Sequence, residues 1–350
     1  MIQQIESRKK SKNKLPSWYQ AKQIYYPPKL NIEQSSSEIT AKYKASIING
    51  GKIADITGGF GIDSYYFSNT FKKVQHFELN QCLSEITAHN FSILNKNNIQ
   101  CIAEDGLNKV LKEQYDVIYA DPSRRHESKG KVFFLKDCEP NIPFHLTALL
   151  KNSKKLLIKT SPMLDISVGL HELQFVSEIH IIAVNNEVKE LLWLIIPNFI
   201  GIPHIKTINI NNDHKDVFNF NLNDTFEVDY TNPKKYLYEP NAAIMKSGAF
   251  NLIPERYQVQ KLHKHSHLYT NDELISFPGR QFIINKVTPY QKKYLKEFFN
   301  IEKANISIRN FPESVAFLRK KLRIKDGGDL FLFFTTTEGN KKIILSCTKV

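Results

Sequence analysis

Hydrophobic positions between residues 46 and 203 follow two periods, one typical of strands and the other of helices. The compact apolar runs are 52–56, 74–78, 99–103, 115–120 and 155–159. Apolar residues with helical spacing lie between them, at 81–94, 107–112 and 142–150. Two β-rich runs, 175–184 and 189–196, flank the turn-forming pair Asn185 and Asn186. The pattern predicts an α/β fold with a Rossmann-like doubly wound sheet that ends in an antiparallel β-hairpin.

Three further regions flank this predicted domain. Residues 1–45 form a helical lead-in, and Ser35 with Glu38 has the capping-box spacing expected at the start of a helix. Residues 204–277 form a connecting segment that contains His263, His265 and His267. On a strand the three histidines would share one face, but no fourth ligand follows, so we expect loop histidines and no metal site. Residues 278–350 form a small C-terminal α+β module.

The elements of these flanking regions are less regular along the chain. In the lead-in we predict a helix over 39–48, and in the connecting segment strands over 205–210 and 218–228 and a helix from Glu239 to Met245. In the C-terminal module we predict strands over 281–287 and 304–308, helices over 289–299 and 312–322, and a hairpin made of 329–335 and 341–347.

The charge of the chain favours a polyanionic partner. Its 350 residues carry 48 Lys and Arg against 35 Asp and Glu, a formal net charge of +13. Such a surplus suits RNA or DNA phosphates, although a lysine-rich genome would also produce it. The four cysteines are scattered, which indicates free thiols in a reducing compartment. No apolar signal core or run of transmembrane length is present, so we expect a cytoplasmic protein.

A glycine turn follows the first predicted strand. The segment reads ADITGGFGIDSYYF, in which Asp55 and Thr57 precede three glycines, Gly58, Gly59 and Gly61. Glycines allow positive φ and leave no Cβ in the way of a ligand. A strand, a glycine turn and a helix N-terminus together suit the close approach of an adenosine-containing ligand. The pyrophosphate spacing G-x-G-x-x-G is absent, and the loop is closer to one that binds S-adenosylmethionine.

Acidic residues follow the next two predicted strands. Glu78, with Leu79 beside it, ends the second strand, where a carboxylate can accept both hydroxyl hydrogens of a ribose. Asp105, followed by Gly106, comes after the third strand and can accept a hydrogen bond from an adenine amino group. Asp55 can meet the ligand's ammonium group. The simpler alternative for Glu78 is a surface acid at a strand end.

The segment after the fourth strand is expected to hold the methyl acceptor. It contains Asp121, Pro122, Ser123, Arg124 and Arg125, and it lies at the sheet edge where ligands meet in α/β proteins. Asp121 also belongs to the predicted cofactor site, and its carboxylate can orient a nucleophilic amine. The two arginines can clamp a phosphate or a carboxylate, and we count both as candidate RNA-binding residues. Alternatively, they form intramolecular ion pairs with acids such as Glu127 or Asp137.

The densest basic cluster lies on the last predicted helix. It consists of Arg319, Lys320, Lys321 and Arg323. Such residues often only solvate a helix face, but their clustering in a small terminal module also fits RNA binding.

The ordered set Asp55-x-x-Gly58-Gly59-x-Gly61, Glu78, Asp105 and Asp121-Pro122 resembles that of class I S-adenosylmethionine-dependent methyltransferases. More specific segments resemble bacterial methyltransferase-like proteins with a C-terminal THUMP-like domain. These segments are Ser36–Lys44, DPSRR, NEVKELLW, YEPNAAI and LRKKL…KDGGD. The resemblance implies a methyltransferase domain over 46–203, a ferredoxin-like segment within 204–277 and a THUMP-like domain over 278–350. It implies S-adenosylmethionine as cofactor and RNA as partner.

One departure concerns the acceptor side. Amino-directed methyltransferases carry an aromatic residue in an Asp/Asn-Pro-Pro-aromatic segment, whereas this chain has Ser123 and Arg124. We therefore predict methyl transfer onto a base of structured RNA, tRNA or rRNA, with the accepting atom open between nitrogen, carbon and oxygen. The alternatives are a catalytically silent RNA-binding or assembly factor and a methyltransferase for small molecules or proteins.

Overall fold

A computed structural model describes residues 2–124, 134–212 and 214–350 of the chain. Contacts divide the chain into two compact units. The first comprises residues 1–184 and 188–206, and the second comprises residues 185–187 and 207–350. None of the helices in the described ranges is long and apolar enough to cross a membrane.

The first unit begins with four helices. They are α1 (Ile2–Lys14), α2 (Pro16–Gln20), α3 (Lys29–Gln34) and α4 (Glu38–Ile47). The predicted capping box of Ser35 and Glu38 is wrong, because Ser37 caps α4 by accepting a hydrogen bond from the Thr40 N–H at 3.2 Å. Glu38 instead accepts from the Ser17 N–H at 2.7 Å and so ties α4 to α2.

The remaining elements of the first unit form a sheet flanked by helices and a separate two-stranded ribbon, residues 123–124 with 138–139. They are β1 (Gly50–Asp55), α5 (Ile62–Phe67), β2 (Phe71–Phe77), α6 (Gln81–Ile93), β3 (Ile99–Ile102), α7 (Gly106–Val110), β4 (Tyr115–Ala120), β5 (Ser123–Arg124), β6 (Cys138–Glu139), α8 (Ile142–Lys151), β7 (Ser153–Thr160), α9 (Ile166–Glu172), β8 (Val176–Val184) and β9 (Glu187–Ile195). The strand order runs β8-β9-β7-β4-β1-β2-β3.

The strand directions confirm the predicted fold class. Strands β1, β2, β3, β4 and β7 run parallel, and β9 lies antiparallel to β7. The turn between β8 and β9 is the predicted asparagine pair, and Asn185 and Asn186 have φ values of 51° and 61°. Positive φ at both central residues matches the right-handed twist of a hairpin. The carboxyl ends of the parallel strands therefore share one edge of the sheet.

The second unit contains a separate sheet with the strand order β13-β14-β12-β15-β18-β17-β16. The elements that follow β9 are β10 (His204–Asn211), β11 (His214–Asn221), β12 (Tyr236–Pro240), α10 (Ala242–Ser247), α11 (Leu252–Tyr257), β13 (Gln260–Lys261), β14 (Tyr269–Asn271), β15 (Gly279–Pro289), β16 (Asn305–Arg309), α12 (Val315–Leu322), β17 (Leu330–Thr337) and β18 (Lys341–Lys349). Apart from the first three residues of β10, they belong to the second unit. The small C-terminal α+β module is thus confirmed.

Several element boundaries in the second unit differ from the prediction. The predicted helix 289–299 is wrong, because Pro289 is still part of β15 and pairs with Ile343 of β18. Only a 3₁₀-helix, Leu295–Asn300, follows. The predicted helix 312–322 starts later, because Ser314 provides the N-cap. Strand 218–228 ends at residue 221. Glu239 lies within β12, which ends at Pro240, rather than starting a helix, and Asn241 caps α10.

Candidate active site

One cleft of about 1110 Å³ collects the predicted cofactor residues and three of the four predicted catalytic residues. The predicted residues that line it are Asp55, Thr57, Gly58, Gly59, Gly61, Glu78, Leu79, Asp105, Gly106, Asp121, Pro122 and Ser123. The cleft lies at the carboxyl ends of β1, β2, β3 and β4. Segments far apart in sequence also line it, among them residues 34–36 and 139–141 and the side chain of His145.

The glycine turn has little room for side chains. A Cβ on Gly58 would lie 2.3 Å from the ring of His76, which is fully buried under the turn. Gly61 has a φ of 78° and begins α5, and a Cβ there would lie 2.6 Å from Thr87. Both positions therefore require glycine, and backbone atoms rather than side chains form this part of the cleft.

Asp55 forms a buried acidic group at the end of β1. Its side chain accepts hydrogen bonds from the Thr57 N–H at 3.1 Å and the Ser64 hydroxyl at 2.8 Å. Burial raises the pKa of Asp55 to about 7, and the neighbouring carboxylates of Asp63 and Asp121 act in the same direction. A cation that enters this part of the cleft would favour the ionised form.

Glu78 is held in place by backbone donors. One carboxylate oxygen accepts from the Gly59 N–H at 2.9 Å and the other from the Asn80 N–H at 2.8 Å. Each oxygen keeps a further lone pair. The carboxylate can thus accept two more hydrogen bonds from a ligand in the cleft.

Asp105 has a local structural function as well as a place in the cleft. It is the N-cap of α7, where one oxygen accepts from the Leu107 N–H at 2.9 Å and the other from the Asn108 amide at 2.7 Å. Gly106 follows it, and a Cβ there would lie 2.8 Å from the Cα of Ile56. The N-cap fixes the orientation of the carboxylate at the cleft wall.

Asp121 has a partner that the sequence analysis missed. Its backbone N–H donates to the Thr57 hydroxyl at 2.7 Å, and its carboxylate forms a hydrogen-bonded ion pair with Lys159 from β7. Lys159 also lines the cleft. Burial lowers the pKa of Lys159, but the carboxylates of Asp121, Glu190 and Asp63 outweigh it, so the pKa stands above its usual value.

A second buried lysine lies behind this pair. The ammonium group of Lys44, which is 0% exposed, lies 2.7 Å from Glu190 and 3.2 Å from Asp63. Asp63 also accepts hydrogen bonds from Ser36 and Tyr119, each at 2.8 Å. Burial opposes ionisation of Asp63, yet Lys44 and Lys159 bring its pKa below the usual value. The only sequence signal was a lysine on the otherwise buried face of α4.

Comparisons with known proteins bear on this site. The chain is 35% identical to the protein in the "Crystal structure of putative methyltransferase from Porphyromonas gingivalis W83", over 99% of this chain and 89% of that one, with a TM-score of 0.91. The chain belongs to the same family. Residues 236–278 match a ferredoxin-like domain family, and residues 279–349 match a THUMP domain-like family. This is the family of methyltransferase-like proteins with a C-terminal THUMP-like domain.

Two other solved structures resemble only part of the chain. An rRNA methylase from Streptococcus thermophilus is 17% identical over 45% of this chain and 92% of that one, with a TM-score of 0.33. A "putative methyltransferase from streptococcus mutans in complex with SAH" is 15% identical over 45% of this chain and 97% of that one, also with a TM-score of 0.33. Scores this low carry no argument about function. No curated protein matches the chain.

Part of the predicted basic cluster on α12 forms ion pairs within the protein. On α12, Arg319 forms an ion pair with Asp326, and Lys321 lies 3.2 Å from Glu313. Lys320 and Arg323 are exposed and have no ion-pair partner among the residues that the structure describes. Of the two predicted arginines near the cleft, Arg124 pairs through its backbone with Cys138, and Arg125 lies outside the described residues.

Proposed function

We propose that this protein transfers a methyl group from S-adenosylmethionine to RNA. The observation that supports the proposal most strongly is the convergence of the glycine turn with Glu78, Asp105 and Asp121 on one cleft. These groups come from four strand ends, so only the folded sheet brings them together. Membership in a family with a THUMP-like domain adds support for an RNA partner.

The residues of the cleft fit this cofactor. It carries a ribose, an adenine, an ammonium group and a carboxylate, and each calls for a different type of partner. Glu78, fixed by two backbone N–H groups, can accept the ribose hydroxyls. Asp55 offers a carboxyl group that a nearby ammonium would ionise. At Gly58 any Cβ would collide with His76, so the position requires glycine and offers a ligand its backbone atoms.

When bound, S-adenosylmethionine supplies an electrophilic methyl group. The protein's own contribution is to align the acceptor, because displacement at a methyl carbon depends mostly on proximity and orientation. We assign the ion pair of Asp121 and Lys159, which lines the cleft, to the methyl acceptor, because it can hold and polarise an incoming nucleophile. Pro122 restricts the backbone that carries Asp121.

The cofactor assignment is tested by calorimetric titration with S-adenosylmethionine and S-adenosylhomocysteine. We expect binding by the wild-type protein and a loss of about tenfold or more in Glu78→Ala, which removes an acceptor of charge-assisted hydrogen bonds. Glu85→Ala, on the exposed face of α6, is the matched control and should bind like the wild type. A folded protein that binds neither compound would contradict the proposal and favour a silent RNA-binding factor.

The RNA assignment is tested by the salt dependence of binding. The slope of log K against log salt is negative, and neutralising Lys320 and Arg323 should reduce its magnitude by roughly 1 to 2. Each lost phosphate contact removes the release of about one counterion. Neutralising Lys292 and Lys293, exposed lysines of the same domain, changes the net charge equally and is the control. An identical slope in both double variants would remove α12 from the RNA interface.

A further inference from the structure

The part of the cleft that we assign to the methyl acceptor contains Asp121, and the carboxylate of Asp121 is paired with a lysine rather than free. Lys159 and Asp121 form an ion pair whose side chains are 13% and 31% exposed, and both residues line the cleft. Asp121 therefore does not present an unpaired negative charge to the acceptor. Whatever accepts the methyl group has to approach an ammonium group and a carboxylate together.

Buried groups behind the pair keep Lys159 charged and in place. Glu190 and Asp63 act together with Asp121 to hold its proton despite burial. Lys44 is fixed between Glu190 and Asp63, at 2.7 and 3.2 Å, so these two carboxylates cannot turn away. The resulting set alternates in charge from Lys44 through Glu190 and Lys159 to Asp121. Lys159 and Asp121 line the cleft, as does Asp63.

The charge of Lys159 discriminates between acceptor atoms. A neutral amino nitrogen becomes positively charged as it takes a methyl group, and a nearby ammonium opposes that change. A hydroxyl oxygen becomes negative as its proton leaves, and the same ammonium stabilises it. Asp121 adds an acceptor for the departing proton on the oxygen that Lys159 leaves open.

We propose that the methyl acceptor is a hydroxyl oxygen, the ribose 2′-hydroxyl of RNA, with Lys159 and Asp121 as the catalytic residues. The inference rests on the proposed function and replaces the expected base with a ribose as the acceptor. Lys44 and Glu190 are positioning residues, since they act through Lys159.

The step balances as follows. The hydroxyl O–H bond breaks, its proton passes to the Asp121 carboxylate, and the ammonium of Lys159 stabilises the oxygen. An oxygen electron pair forms the new O–CH₃ bond while the S–CH₃ bond breaks, and its electrons neutralise the sulfonium. Asp121 then releases the proton to water. No other reactant is required.

The product distinguishes a ribose from a base. RNA from cells that lack this protein is incubated with the full chain and S-adenosylmethionine labelled in the methyl group, and the product is hydrolysed with alkali. Alkali cleaves RNA through the free 2′-hydroxyl, so a 2′-O-methyl group leaves the label in alkali-resistant dinucleotides. DNA of the same sequence, which has no 2′-hydroxyl, should stay unlabelled.

The outcomes separate the two proposals. Label in alkali-resistant dinucleotides supports the inference. Label in mononucleotides with a modified base overturns it and leaves RNA methylation standing. If S-adenosylmethionine binds but no label enters the RNA, the proposed function fails and the inference fails with it.

Variants of two lysines of β7, Lys159 and Lys154, test the residue assignment. Lys159→Met should reduce kcat by about 100-fold or more, as loss of a preorganised electrostatic group does, with little change in S-adenosylhomocysteine affinity. Lys154→Met removes an exposed lysine of the same strand and should keep the wild-type rate. If Lys159→Met does not fold, Lys159→Arg preserves the charge and should still reduce kcat by about tenfold or more, because a guanidinium has a different shape. A wild-type rate in either Lys159 variant would overturn the assignment.

Discussion

Strands β4 and β7 carry two Lys–Asp pairs in the same register, one at each end. Lys154 pairs with Asp116 at the amino ends of the strands, and Lys159 pairs with Asp121 at their carboxyl ends. In each pair the two residues are 38 positions apart in sequence. Lys154 is 79% exposed, whereas Lys159 is 13% exposed. The comparison shows that position on the sheet, rather than residue type, decides how exposed such a pair is and whether it lines the cleft.

The amino-terminal pair is explained by local architecture. One oxygen of Asp116 accepts from the N–H groups of Gly51 and Lys52, at 2.7 and 2.9 Å, and so fixes the start of β1. A Cβ on Gly50 would lie 2.8 Å from that of Asp116. The carboxyl-terminal pair lies where parallel strands open onto the ligand cleft, which is the usual site of chemistry in such sheets.

The largest expected difference between the two pairs is catalytic. Asp121→Ala should lower the rate of methyl transfer by about 10³-fold, as for loss of a general base, and should leave cofactor affinity nearly intact. Asp116→Ala should retain the rate. Single-turnover transfer and calorimetry measure the two quantities separately. An equal loss of cofactor affinity in Asp121→Ala would assign Asp121 to the cofactor instead.

Asp55, at the carboxyl end of β1, and Asp116, near the amino end of β4, should change the free energy of unfolding in opposite directions as pH changes. Burial raises the pKa of Asp55, so the folded state binds its proton more tightly than the unfolded state does, and stability falls as pH rises from about 4 through 7. Asp55→Asn should therefore be more stable than the wild type by roughly 2 kcal/mol at about pH 8, with the gain disappearing near about pH 4. Thermal unfolding across this range measures the effect, and a gain that did not depend on pH would contradict it.

Asp116 should show the reverse dependence. Its hydrogen bond with Lys154 and those with the two backbone N–H groups lower its pKa, so its stabilising contribution is present above about pH 4 and is lost as pH falls through the lowered folded-state value. Asp116→Ala should lower the free energy of unfolding at neutral pH by about 1 to 3 kcal/mol, because two N–H groups lose their acceptor. Denaturant titration at neutral and acidic pH tests this, and an equal loss at both pH values would argue against it.

The smallest effect is expected at Lys154 itself. Since its side chain is mostly exposed, Lys154→Met should change the free energy of unfolding by less than about 1 kcal/mol. High salt should reduce the difference further. A larger loss would mean that Lys154 and Lys159 are more alike than their exposure indicates.

Much of the first unit followed from short-range pattern. Strand runs, the Asn185–Asn186 hairpin and the order of β and α elements were all correctly predicted, because each depends on spacing within about ten residues. The second unit was harder. The pattern predicts a helix from residue 289, but Pro289 continues β15, since pairing with β18 outweighs the local preference.

The candidate site divides in the same way. The glycine turn, Glu78, Asp105 and Asp121 could be placed in one cleft from the sequence, because each follows a strand and parallel strands end at a common edge. The ion pair of Asp121 with Lys159 could not, because it depends on which strand lies beside β4 and in what register. The contact between Lys44 and Glu190 spans 146 positions, and its only local signal was a lysine on the buried face of α4.

Short-range patterns were therefore enough to predict the fold class, the cleft and its acidic residues, since these predictions require only residue type and short spacing. Tertiary structure decided the charge environment of the acceptor. Coulombic energies depend on separation in space and on burial, and neither is encoded locally for Lys159, Glu190 and Asp63. For this protein, the groups that would choose the methylated atom are those that only folding brings together.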